Sequence, residues 1–108
     1  MPIHLPQPIA AYFAAENAHD NEAVARCFAE TATVRDEGRT IEGRSAIKEW
    51  KAETTRKYQH TIEPIASVEK DGKTVVISRL TGNFPGSPIE VQFVFGLKAG
   101  RIVSLEIG

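Results

Sequence analysis

One cysteine, Cys27, is all the thiol this sequence has, and a lone thiol builds no intrachain disulfide framework. That fits a reducing compartment such as the cytoplasm. Neither sign of charge dominates: 13 Lys and Arg stand against 14 Asp and Glu, for a net charge of −1. A nucleic-acid-binding domain shows a clear basic excess, so no nucleic-acid partner is expected. No apolar run approaches the roughly 18 residues that a membrane span needs. The proline-interrupted stretch Met1 to Pro8 lacks the basic region, long apolar run and small-residue cleavage site of a signal peptide. The expectation is a cytoplasmic protein without a membrane partner. His4, His19 and His60 have no metal-ligand spacing, and Cys27 has no cysteine partner, so no metal is expected. Neither a glycine-rich phosphate loop nor a G-x-S-x-G elbow occurs.

What remains is an ordinary globular composition, 42% hydrophobic and 25% charged over 108 residues. That is enough chain for one domain with a core of its own. No repeat or linker divides it. The first half has helical spacing and the second half has strand spacing, an order that gives an α+β fold with helices packed on a sheet.

Pro8 can occupy the first turn of a helix in which Ile9, Tyr12, Phe13 and Glu16 recur at i, i+3, i+4 and i+7. That helix should stop near Ala18–His19. Asp20 then caps a second helix, with Glu22 in its first turn and Val24, Cys27 and Phe28 on its apolar stripe. Thr31 to Asp36 changes period, with Val34 and Asp36 on one strand face and Thr33 and Arg35 on the other. Glu37-Gly38-Arg39 turns the chain into a short return strand ending at Gly43. A third helix, from about Ser45 to Tyr58, places Ile47, Trp50, Lys51, Thr54 and Tyr58 on one face. Lys70-Asp71-Gly72-Lys73 is a hairpin signal between two strands. Gly82 to Pro88 is a loop by its turn chemistry. Ile89, Val91, Phe93, Phe95 and Leu97 then alternate with Glu90, Gln92 and Val94. A last strand places Val103, Leu105 and Ile107 on one face. The order is three helices, with a short hairpin between the second and third, then a four-strand antiparallel meander. A curved sheet around helices encloses a pocket.

Several segments carry a resemblance. Ala11-Tyr12-Phe13-Ala14-Ala15-Glu16-Asn17-Ala18-His19-Asp20, Phe28-Ala29-Glu30-Thr31-Ala32-Thr33-Val34, Ile41-Glu42-Gly43-Arg44-Ser45-Ala46-Ile47 and Ala99-Gly100-Arg101-Ile102-Val103 follow one another in order across the chain. Together they resemble the nuclear transport factor 2-like superfamily, in its SnoaL-like and ketosteroid-isomerase-like branch. The resemblance covers essentially the whole chain, 1–108, as one domain. It implies an α+β cone-shaped barrel, with three N-terminal helices packed in a curved antiparallel sheet, and it implies a homodimer. Members include isomerases, cyclases, dehydratases, hydrolases and plain binding domains, so the fold alone does not fix the activity.

Candidate site residues follow from both readings. Asp36 shares a face with apolar Val34. A carboxylate in a dry pocket can act as a general base near neutral pH, whereas one at a strand end can simply cap the following turn. The resemblance puts Asp36 where isomerase-like relatives carry a proton-shuttling Asp. Tyr12 stands where they carry an oxyanion-stabilising Tyr, and it is otherwise a core tyrosine. Their third element, a protonated Asp on the strand matching Ile89 to Leu97, has no counterpart on the apolar face here. Trp50, Tyr58 and Phe93 can wall a pocket for a flat ligand or pack the core. Lys51 can snorkel to solvent, meet Asp36 or bind an anionic substrate. Arg79 is a pocket arginine or an exposed strand charge. The leading expectation is an enzyme moving protons on a small apolar, carbonyl-bearing or aromatic ligand, with Asp36 and Tyr12 catalytic and Trp50, Lys51, Tyr58 and Phe93 binding the ligand. Such a reaction needs no cofactor. The alternative is a non-catalytic ligand-binding or dimerisation domain.

Overall fold

The computed structural model describes residues 5–36, 38–58 and 60–108, and the side chains of Lys57 and Tyr58 fall outside that description. The pocket-wall role expected of Tyr58 therefore lies outside the described residues, as does Glu37 of the expected turn.

Helix α1 (Gln7–Asn17) starts with Pro8 in its first turn and buries Ile9, Tyr12, Phe13, Ala15 and Glu16 along one stripe. It ends as expected, with Ala18 as C-cap and His19 in a left-handed conformation. Helix α2 (Asn21–Arg26) is capped by Asp20, whose Oδ1 accepts from the Ala23 amide at 3.1 Å. Strand β1 (Phe28–Asp36) begins earlier than the periodicity indicates, so Phe28 heads a strand and does not complete the α2 stripe. Cys27 is the half-buried C-cap between the two elements. Strand β2 (Arg39–Glu42) folds back on β1, and α3 (Arg44–Tyr58) follows.

Strands β3 (Thr61–Lys70), β4 (Lys73–Thr81), β5 (Ile89–Lys98) and β6 (Arg101–Ile107) form the expected antiparallel meander. Asp71 and Gly72 both take positive φ in the β3–β4 turn, which is what an Asp-Gly hairpin requires. The six strands run β2-β1-β6-β5-β4-β3 in one curved sheet. Two features differ from the expected antiparallel barrel. The sheet is open, with β2 and β3 at its edges, and it is mixed, because β1 pairs with β6 in parallel. Strand β2, helix α3 and strands β3 to β5 intervene between those two strands, and such a long crossover permits parallel pairing.

β6 also departs from simple alternation. The register shifts between Gly96 and Leu97, so Leu97 pairs with Ile102 while Gly96 pairs with Ser104. Val103 is the extra residue, and one extra residue reverses the faces beyond it. Ile102 and Leu105 are therefore the buried pair, not Val103 and Leu105.

The concave face of the sheet receives the helices. Tyr12 sits among Phe13, Phe28, Phe93 and Phe95 with ring centroids 5.3 to 6.3 Å apart, mostly edge to face. Large side chains like these each contribute roughly 1.5–3 kcal/mol on burial. This aromatic cluster fills one part of the concave face, and another part is left open. No helix among the described residues is long and apolar enough to cross a membrane.

Candidate functional site

The open part is a pocket of about 440 Å³. Ile62 of β3, Leu80 of β4, Ile89 and Phe93 of β5 and Ile107 of β6 form its sheet wall. Phe84 and Pro85 come from the β4–β5 loop. Trp50, Lys51 and Thr54 come from one face of α3, Glu16 from α1, Asp36 from the end of β1, and His60 from the residue before β3. The lining is mainly apolar with a few polar groups, the usual composition of a small-molecule site.

Asp36 is half-buried at the pocket wall, on the Val34 face of β1 as the alternation indicates. Its Oδ2 accepts a hydrogen bond from Trp50 Nε1 at 3.1 Å. Trp50 is 3% exposed, so this indole N–H is satisfied by the carboxylate it orients. Trp50 and Lys51, neighbours about 100° apart around α3, are both buried, and Lys51 Nζ lies 4.3 Å from the Trp50 ring centroid.

Lys51 does not snorkel and does not meet Asp36 in any hydrogen bond or ion pair among the described residues. It is 3% exposed, and its ammonium donates to Glu16 Oε2 at 2.6 Å. A Lys in the apolar stripe of α3 reaches solvent only if a path exists, and here α3 packs on α2, β1 and β2 while Lys51 reaches Glu16 of α1. The buried charge is met by a buried carboxylate instead. Glu16 also receives the Tyr12 hydroxyl on Oε2 and the His60 ring on Oε1, the latter at 3.3 Å. Burial alone pushes the Glu16 carboxyl upward. The Lys51 charge and the hydrogen bonds from His60, Lys51 and Tyr12 outweigh it and lower the pKa from 4.5 to about 2. Glu16 is thus ionised throughout the neutral range. Burial, followed by the Glu16 charge and hydrogen bond, raises the Tyr12 phenol well above its ordinary 10.0.

These contacts redistribute the expected roles. Asp36, Trp50, Lys51 and Phe93 all line the pocket. Tyr12 does not. It is fully buried in the aromatic cluster, and its single hydroxyl proton is given to Glu16. In this arrangement it has no donor left for a ligand oxygen. Arg79 faces away from the pocket: it is exposed, and its Nη1 lies 3.5 Å from Glu63 Oε1 on the neighbouring strand. Glu16 and His60 were not singled out from the sequence. The signal for Glu16 was its place at i+7 of an apolar helical stripe, matched by Lys51 in the stripe of α3. Two opposite charges, each interrupting a buried stripe, are candidates for a buried pair. Nothing local marked His60. Among the described residues no group of three or more His, Cys, Asp or Glu is placed to hold a metal ion.

Comparison with known proteins follows the same geometry. The profile of the SnoaL-like domain matches residues 9–105. A solved structure from Sinorhizobium meliloti, protein SMa1630, whose polyketide cyclase assignment is itself provisional, shares 36% identity. It superposes with a TM-score of 0.92, covering 96% of this chain and 95% of that one. A Catenulispora acidiphila protein with a ketosteroid isomerase-like fold, solved with trimethylamine, is 20% identical with a TM-score of 0.85, covering 97% of this chain and 86% of that one. RV0760c of Mycobacterium tuberculosis is 18% identical with a TM-score of 0.81, covering 99% and 92% of the two chains. The last two are similar in fold alone. No functionally curated protein matches the sequence.

Proposed function

The chain belongs to the SnoaL-like domain family, and from that premise we propose that it is an enzyme that moves protons on a small apolar, carbonyl-bearing ligand, with Asp36 as the proton carrier. One observation carries this reading: an open apolar pocket of about 440 Å³ has a hydrogen-bonded carboxylate, Asp36, and a buried ammonium, Lys51, in the same wall. Asp36 takes a proton from the carbon next to the carbonyl. The C–H electron pair becomes the C=C bond of an enolate, and negative charge collects on the carbonyl oxygen. Lys51 stabilises that oxygen. It takes the part the resemblance gave to Tyr12, because an ammonium has three N–H groups and Glu16 engages only part of them. Glu16 and Tyr12 hold Lys51 in place. Asp36 then returns the proton to a neighbouring carbon of the conjugated system, which is an isomerisation; where the enolate carbon first bonds to a second carbonyl carbon of the ligand, the proton goes to the alkoxide that forms, which is a ring closure. Phe84, Ile89 and Phe93 keep water from the ring of the ligand.

A second reading has its own support. Tyr12 is satisfied by Glu16, and Asp36 accepts from Trp50, as a domain that only binds ligands also requires. α-Tetralone in deuterated buffer separates the two. Trp50 is the single tryptophan and lines the pocket, so its fluorescence reports occupancy. The enzyme reading expects a fluorescence change together with deuterium entering the α position faster than in buffer. Binding without exchange favours the ligand-binding domain, and neither response removes the pocket reading.

We also propose a cytoplasmic homodimer. The lone Cys27 supports the compartment. The outer sheet face supports the pairing: Val68, Val75 and Val94 form one cross-strand row there, and Val68 is 53% exposed. Light scattering of the purified chain gives the mass that decides it.

A further inference from the structure

Burial divides the pocket into a floor and a mouth. Glu16, Trp50, Lys51, His60, Ile62 and Phe93 are each 7% exposed or less and move only if the close-packed core around them moves. Asp36, Thr54, Leu80, Phe84 and Ile107 are half-buried, and Pro85 and Ile89 are exposed. The mouth therefore lies where the β4–β5 loop, residues 82–88, meets α3 and the ends of β1 and β6. Phe84 is the largest side chain there. Its neighbours Asn83, Pro85 and Gly86 are all exposed, so Phe84 is the residue of the loop tip that turns inward. The loop is tied across its own base. The Gly82 N–H donates to Ser87 Oγ at 2.9 Å, and the Ser87 N–H donates to the Phe84 carbonyl at 3.3 Å. The Phe84 ring in turn rests on Gly82. A Cβ placed on Gly82 would lie 2.8 Å from Phe84 Cε1, 2.9 Å from His60 Cβ and 3.1 Å from His60 Cα. Gly82 has no left-handed φ, so its backbone would accept an alanine and the space around it would not. The missing side chain is what lets the Phe84 ring edge and His60 close on the same backbone.

We propose that Phe84 selects ligands by size at the pocket mouth, and that Gly82 is the positioning residue that seats its ring there. This inference rests on the small-molecule reading of the pocket given above and narrows its ligand class to flat ring ketones whose outer edge ends against Phe84. The floor is fixed by the core, so the length of ligand accepted is set at the mouth. Taking the Phe84 ring away leaves room for one more fused ring and removes an apolar contact from the shorter ligand. Both changes favour the longer one, together by about tenfold in relative affinity.

The test measures affinities for α-tetralone and for its benzo-fused three-ring analogue by calorimetric titration. Wild type, Phe84→Ala, Gly82→Ala and the double variant are compared. The readout is the ratio of the two affinities, three-ring over two-ring, which a general loss of stability does not move. Phe84→Ala raises that ratio about tenfold. Gly82→Ala changes the ratio while Phe84 is present and adds nothing once Phe84 is alanine, because it acts through that ring. An unchanged ratio in Phe84→Ala, with both ketones still bound, overturns the proposal and leaves the pocket reading standing. A Gly82→Ala effect that persists in the double variant belongs to His60 and overturns the positioning role, as does no effect in either background. If wild type binds neither ketone, the pocket reading and the proposal fall together. Should Phe84→Ala fail to fold, Phe84→Leu takes its place in both the single and the double variant, with a smaller rise expected.

Discussion

Two carboxylates face the same pocket from different elements, and their surroundings differ. Glu16, on α1, is 4% exposed and takes hydrogen bonds from Tyr12, Lys51 and His60. Asp36, at the end of β1, is half-buried and is oriented by Trp50. A carboxylate encased by three donors, one of them a cation, is ionised and held in place, so it serves the fold. One at the rim of an apolar cavity, held by an indole N–H, keeps access to a ligand and can exchange a proton with it. Burial alone does not mark a catalytic acid or base. Its place does: Glu16 is encased between α1 and α3, and Asp36 is half-buried at the pocket wall.

The largest expected effect comes from breaking the Glu16 side. Glu16→Gln leaves Lys51 buried without its counter-charge, which costs about 3–5 kcal/mol in urea unfolding. The double variant Glu16→Gln with Lys51→Met recovers much of that loss, because the cost comes from the unpaired charge. Acid titration gives the same contrast more gently. The folded Glu16 pKa of about 2 lies below its ordinary 4.5, so its contribution is complete above pH 4.5 and is lost as the pH falls toward 2. That contribution is roughly 3 kcal/mol. Unfolding free energy followed across that range falls in the wild type, and Glu16→Gln lacks this component.

On the Asp36 side the stability effects are smaller. Trp50→Phe keeps an aromatic wall but removes the N–H given to Asp36. It lowers stability by about 1–2 kcal/mol. It also slows proton exchange on α-tetralone more than it weakens binding, since orientation of the carboxylate is what it removes. Calorimetry and exchange rates on one preparation separate the two effects.

Much of this contrast could be read in the sequence, and the rest could not, for physical reasons. The face of Asp36 followed from strand alternation with Val34, and the helical stripes of α1 and α3 followed from spacing. The Asp20 cap, the Asp71-Gly72 turn and the meander were local signals, and the structure has all of them. The Glu16–Lys51 pair joins residues 35 apart in sequence, so spacing showed each charge on a buried stripe but not that the stripes meet. Tyr12 lies four residues before Glu16, a helical neighbour that competes for its proton, and reading it by resemblance overlooked that competitor. The bulge at Val103 was hidden because Val103, Leu105 and Ile107 alternate cleanly. Only pairing with β5 and β1 places Ile102 inside instead. The parallel β1–β6 contact depends on the path of the whole chain.

The most direct test of the division between the two carboxylates is the rate of deuterium entry into α-tetralone for Asp36→Asn beside wild type, at a pH where both are folded. The account predicts that wild type exchanges faster than buffer and that Asp36→Asn loses about 100-fold or more of that excess, while its unfolding free energy changes by less than about 1 kcal/mol. Exchange by Asp36→Asn at the wild-type rate would contradict it.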